Sequence, residues 1–144
     1  MTATSEHPQS TGPLAGVKII ELTSVVQDPY ATQMLGDLGA DIIKVKSLDR
    51  DTTRYTGPFR HQDMAALFMG INRNKRSIIL DLKQPSGRDL LFRLIDDADV
   101  FVHNVRPQKL EQLGLGPDAV LAPTVNAGIN EPRPARVKRK PKLR

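Results

Sequence analysis

The sequence predicts an α/β fold: an open, mostly parallel sheet with flanking helices. Three observations point there. Short apolar runs alternate with stretches of helical periodicity, prolines stand where helices should begin, and the connections between them are short. Val17 to Leu22 (VKIIEL) is an apolar run of strand length. Pro29 is placed to open a helix, and Tyr30, Ala31, Met34, Leu35 and Leu38 recur on one predicted face, the one expected to meet the sheet. Gly39 is a natural stop, since glycine takes a left-handed conformation without steric cost. Asp41 to Lys46 (DIIKVK) is the second strand, which makes residues 17–46 a βαβ unit with an expected right-handed crossover. A polar loop follows from Ser47 to Gln62, then a short helix over Met64 to Ile71. Ser77 to Leu82 (SIILDL) is the third predicted strand. Pro85 opens a helix with Leu90, Leu91, Leu94, Ile95 and Ala98 at apolar spacing. Val100 to His103 is the fourth strand, and Pro107 to Leu113 a short helix ending at Gly114-Leu115-Gly116.

Composition narrows the function classes. The 144 residues contain no cysteine, which removes disulfides, thiolate metal sites and thiol nucleophiles. No apolar run approaches the ~20 residues of a membrane span. Residues 1–12 are polar and carry no arginine, so they read as a disordered leader, not a targeting signal, and a cytoplasmic location is expected. The net charge of +5 is local. Residues 131–144 hold seven Lys/Arg against one Glu, which leaves the remainder at a net charge of −1. The predicted organisation is a leader (1–12), a folded body (13–121) and a disordered basic tail (122–144) with too little apolar surface to offset ordering entropy. The tail could bind nucleic acid in a salt-sensitive way. With aromatics at 4%, no basic-aromatic interleaving supports base stacking, and a solvated tail is the preferred reading.

In open parallel sheets, ligands bind beyond the carboxyl ends of the strands. Three predicted loops lie there: Ser24 to Pro29, Leu80 to Lys83, and His103 to Arg106. Helix N-termini and nearby cations suit a phosphorylated ligand. Lys83 reads first as a solvated surface lysine, and Asn104 equally as a cap or turn former. No G-x-G-x-x-G or G-x-x-x-x-G-K motif marks a dinucleotide or ATP site. His7, His61 and His103 lack metal-like spacing, and no G-x-S-x-G elbow is present. Residue chemistry alone stops at an α/β domain for a phosphorylated ligand.

The ordered strings are more specific than their chemistry. Pro13-Leu14-Ala15-Gly16-Val17-Lys18-Ile19-Ile20-Glu21-Leu22-Thr23 resembles the opening of the family III CoA-transferases (carnitine and formyl-CoA transferase type). So do Pro29-Tyr30-Ala31-Thr32, Leu35-Gly36-Asp37-Leu38-Gly39-Ala40-Asp41, Ile43-Lys44-Val45 and Asp51-Thr52-Thr53-Arg54. The strongest string is Asn72-Arg73-Asn74-Lys75-Arg76-Ser77, followed by Leu80-Asp81-Leu82-Lys83. Ala98 to Asn104, Arg106-Pro107 and Leu113 to Gly116 complete a resemblance running from Pro13 to about Val120.

The resemblance implies the N-terminal, coenzyme A-binding part of a Rossmann-like large domain, in a family that forms interlocked homodimers. It implies transfer of CoA from an acyl-CoA to a free carboxylic acid, with no metal. There an aspartate attacks the thioester, the mixed anhydride yields an aspartyl-CoA thioester, and the acceptor carboxylate takes the CoA on. By the same resemblance Ser24, Val25, Val26 and Gln27 line the CoA loop. Leu80 and Lys83 lie near the adenine and phosphates, and Asn104, Val105 and Arg106 lie beside pantetheine and nucleotide. Asn74, Lys75 and Arg76 match a hallmark turn, with structural and functional roles both open. No residue of the chain matches the catalytic aspartate, which falls further along than the chain reaches, so the chain alone is expected to be inactive. Asp28 replaces a usual glycine, and its carboxylate is expected to repel CoA phosphates. Lys46 replaces a usual Glu, Ser47 a common arginine, His103 a frequent Glu and Gln112 an arginine. Beyond Gly116 the pattern departs from the family, as a frameshift or truncation would produce. The alternative within the superfamily is an α-methylacyl-CoA racemase; Asn104 and the Asn74–Ser77 string resemble the transferases.

Overall fold

The computed structural model describes residues 11–49 and 51–122. Residues 1–10 of the predicted leader and 123–144 of the predicted tail lie outside the described residues. Four strands form one sheet, β1 (Lys18–Leu22), β2 (Asp41–Lys46), β3 (Lys75–Ile79) and β4 (Val100–His103), in the order β3-β2-β1-β4. All three pairings are parallel, with Ile19 opposite Ile42 and Val100, and Ile43 opposite Arg76. The helices are α1 (Gln27–Asp37), α2 (Ala66–Asn72), α3 (Pro85–Asp96), α4 (Pro107–Gln112) and α5 (Pro117–Leu121), with a 3-10 turn at Thr52–Tyr55. The predicted α/β class and parallel sheet are therefore observed.

Alternation along each strand divides the residues between two faces. On one face Ile20, Val45 and Leu80 pack with Leu91, Ile95 and Ala98, and with Leu110 and Leu115. On the other, Ile19, Ala40 and Ile42 form a smaller apolar cluster with Leu14, Leu35 and Val102 around it. Further along that second face the strands carry Glu21 and Lys44, both buried.

That ionic stretch overturns the expected orientation of α1. Tyr30, Met34 and Leu38 are 53%, 51% and 45% exposed, while Pro29, Thr32 and Gln33 face inward. The reason is the sheet beneath: charged groups there need polar partners, so the polar side of α1 turns in. Only Leu35 of the predicted apolar set packs against the small apolar cluster. Pro29 is the third helical residue and not the first. Gly39 does follow the helix with φ 99°, and a Cβ there would meet the Thr11 carbonyl oxygen at 2.8 Å.

β3 begins two residues earlier than predicted and ends at Ile79, because Lys75 and Arg76 pair with β2. Leu80 leaves the strand, yet its N–H still donates to the Lys46 carbonyl and its side chain stays in the core. β3 and β4 are the edges of the sheet, and Ile78, Ile79 and Val100 are partly exposed there. α5 was not anticipated; Gly116-Pro117 is the start signal that marks it. Among the described residues no helix is long and apolar enough to cross a membrane.

Candidate functional site

The carboxyl ends of the four strands border one open crevice of about 370 Å³. β1 contributes Leu22 to Ser24, β2 Lys44 to Leu48, the loop after β3 Leu80 to Lys83, and the loop after β4 Asn104 and Val105. Lys109 and Leu113 close one side, and Asp49 and Asp51 another. This is where a parallel sheet leaves strand ends and helix starts together.

Beneath the crevice lies a buried ionic cluster. The Glu21 carboxylate, 0% exposed, accepts hydrogen bonds from four donors. Lys44 Nζ donates to Oε1 at 2.9 Å, and the Thr23 hydroxyl donates to the same oxygen; Thr32 Oγ1 and Lys75 Nζ donate to Oε2 at 2.8 and 2.9 Å. Lys44 Nζ also donates to the Thr23 carbonyl at 2.9 Å and stands 3.6 Å from Asp51 Oδ2. Lys75 Nζ reaches the Pro29 carbonyl at 2.7 Å and Thr32 Oγ1 at 2.8 Å, tying β3 to α1. Burial works against the Glu21 charge, but Lys44 and the donated hydrogen bonds outweigh it and hold the carboxyl below its ordinary value. Burial draws the Lys75 ammonium below the usual lysine value, opposed by its contact with Glu21. Asp51 Oδ1 accepts from Thr53 N at 3.1 Å and Thr53 Oγ1 at 2.7 Å, while Oδ2 has no hydrogen-bond partner among the described residues. Since Lys44 and Asp51 border the crevice, the cluster forms a fixed, charged floor.

The walls are held with similar care. Asp81 Oδ1 accepts from the Lys83 N–H at 3.0 Å, and Arg88 Nη1 donates to the carbonyls of Leu82 and Lys83 at 3.1 and 3.0 Å. Gly87 lets α3 approach this loop: a Cβ there would sit 2.1 Å from the Asp81 carbonyl oxygen. On the opposite wall the Asn104 side-chain amide meets Ser24 twice. Ser24 N–H donates to Oδ1 at 3.2 Å, and Nδ2 donates to the Ser24 carbonyl at 2.9 Å.

Of the residues singled out in the sequence, Ser24, Leu80, Lys83, Asn104 and Val105 border the crevice together. Val25, Val26, Gln27 and Arg106 stand outside its walls. So does Asp28. Arg106 precedes α4, where its carbonyl accepts from the N–H groups of Lys109 and Leu110. The hallmark string does structural work. Arg73 and Asn74 bind Asp37 at the end of α1, Lys75 enters the ionic cluster, and Arg76 pairs with Asp41 on β2. Asn74 takes φ 62° in the turn. Sequence reasoning missed Thr23, Lys44, Asp49, Asp51 and Lys109; Lys46 and Ser47, noted there as departures from the family, also border the crevice. The available signal was a Glu and a Lys, each embedded in an apolar strand at a position whose neighbours predict burial. Among the described residues no group of three or more His, Asp or Glu could hold a metal ion.

A parallel α/β domain with a polar crevice at its strand ends is a class that binds phosphorylated ligands in many unrelated proteins. The comparisons are more specific. The sequence profile of CoA-transferase family III matches residues 14–124, and the chain belongs to that family. It is 45% identical over 105 residues to succinyl-CoA:glutarate CoA-transferase of Homo sapiens, which covers 72% of this chain and 24% of that protein. It is 41% identical over 118 residues to succinate–glutarate CoA-transferase of Agrobacterium fabrum, covering 77% of this chain and 30% of that one. The crystal structure of a CAIB/BAIF family protein from Brucella suis superposes with a TM-score of 0.71 at 40% identity, covering 76% of this chain and 30% of that one. The chain thus spans 24% to 30% of the length of these relatives.

Proposed function

We propose that the crevice at the strand ends is a coenzyme A site, and that the chain supplies the CoA-binding part of an enzyme moving CoA between an acyl-CoA and a carboxylic acid. The observation that carries this is the joining of four loops around one crevice, with Lys83 and Lys109 exposed at its rim, in a chain of this family. Exposed lysines attract phosphates without the desolvation that commits Lys44 to Glu21. Leu80, Leu82 and Val105 offer apolar wall to the adenine or the pantetheine arm. The two relatives are named for CoA transfer, which favours transfer over racemisation at an α-carbon. The covalent step is assigned to no residue of this chain. Homodimerisation and a cytoplasmic location go with this reading.

Calorimetric titration of the purified chain with CoA, beside a thermal melt, tests it. Saturable binding that weakens with salt and drops in Lys83→Ala supports the crevice as the site. A cooperative melt without CoA binding would reject it.

A further inference from the structure

The clasp between Asn104 and Ser24 occupies a special place in the sheet. β1 and β4 pair in parallel up to Leu22 opposite His103, and Ser24 and Asn104 follow just beyond that last rung. There the strands turn apart, β1 towards α1 and β4 towards α4. A side-chain amide carries the same donor and acceptor as a peptide group. Asn104 uses both, accepting from Ser24 N and donating to Ser24 O, so it stands in for the missing rung. The orientation of the amide is unambiguous, because a backbone N–H only donates and a carbonyl only accepts.

The next residue, Val25, has φ 71°. A β-branched residue in the left-handed region is a costly outlier that persists only where its surroundings hold it. Two residues later α1 begins, and its N-cap, Val26, offers no side-chain hydrogen bond. Neither Val25 nor Val26 is buried; they are 56% and 37% exposed, so packing does not fix them. The fixed point beside the strain is Ser24, and Asn104 is what fixes it.

We infer that Asn104 is a positioning residue: its amide clasps Ser24, the last residue of the β1 wall of the crevice, and so holds Val25 in the left-handed turn just beyond that wall. Aspartate lacks the donor for the Ser24 carbonyl, serine cannot span both contacts, and alanine makes neither. The importance of this wall for CoA rests on the proposed function; the clasp itself does not.

The test uses the full chain without ligand. Nuclear magnetic resonance follows exchange of the Ser24 amide and the Val25 carbon shifts, which distinguish left-handed from extended backbone. In Asn104→Ala, loss of two modest hydrogen bonds should speed Ser24 exchange by about 10-fold. Val25 should move toward extended values, with amide exchange in the middle of β1 unchanged. Asn104→Asp, which keeps the size and the acceptor, should shift the same way by less and serves if the alanine variant does not fold. In a Val25→Gly background the left-handed turn is free of steric cost, so Asn104→Ala should leave the turn in place. Unchanged Ser24 exchange and Val25 shifts in Asn104→Ala would overturn the inference. CoA titration is the separate arm. If the wild-type chain binds, Asn104→Ala should weaken it more than it does in the Val25→Gly background. If the wild-type chain does not bind, the reading of the crevice fails, and the clasp stands or falls on the exchange data.

Discussion

On the α3 face, Ile20, Val45 and Leu80 meet Leu91 and Ile95 in hydrocarbon contact. On the α1 face, one residue along the same strands, Glu21 and Lys44 meet Thr32 and Lys75 in a closed set of hydrogen bonds. Both faces exclude water, and they tolerate change differently. A hydrocarbon face loses stability in proportion to the volume removed and the room left behind. An ionic face holds only while every partner is present, because a single deletion leaves a bare charge out of water.

That difference sets the expected order of effects. Glu21→Ala strands the ammonium groups of Lys44 and Lys75 and should cost about 3–5 kcal/mol in urea unfolding, the largest loss. A change below ~1 kcal/mol would show that water enters the cluster and screens it. Leu91→Ala empties a fully buried site and should cost about 3 kcal/mol, with the loss tracking the cavity that remains. If Leu91→Ala proved costlier than Glu21→Ala, the hydrocarbon face would be the more fragile. The smallest effect is that of acid. The Glu21 carboxyl is held below its ordinary value of 4.5, so the unfolded chain takes up a proton first as pH falls. Its contribution is complete above about pH 4.5 and is lost as pH drops through the lower, folded value. Melting temperatures taken across that range should fall in the wild type and fall less in Glu21→Gln.

The sequence revealed the hydrocarbon face far better than the ionic one. β2 and β4 have their predicted bounds, and Leu91, Ile95 and Ala98 are buried as their spacing requires, with Leu94 packed against them, while Leu90 of the same predicted set is exposed. Periodicity works there because apolar burial is non-directional: any residue at the right phase joins the core. It fails on α1, where Thr32 and Gln33 are buried and Tyr30 and Met34 are not. Which side of that helix turns inward depends on Glu21, Lys44 and Lys75, and those converge only when three strands lie side by side. The candidate site was legible in the same divided way. Ser24, Leu80, Lys83, Asn104 and Val105 lie in loops that strand order alone places together. The floor residue Lys44 was hidden because a charge inside a strand reads as solvent-facing until its partner across the sheet is known, and Asp51 because it sits in a polar loop, capping the 3-10 turn.

The central position of β1 has a consequence for folding order. Its pairing with β2 closes a short loop, within one βαβ unit, whereas its pairing with β4 joins Ile19 to Val100. Ser24 and Asn104 are 80 residues apart in sequence. Contacts of such separation form slowly, because loop closure must precede any gain from them. The local β1-α1-β2 unit is thus free to assemble early, and the crevice acquires its fourth wall only when β4 arrives. A ligand that touches both walls cannot engage a partly formed sheet. Its binding therefore selects chains in which the last strand has already docked.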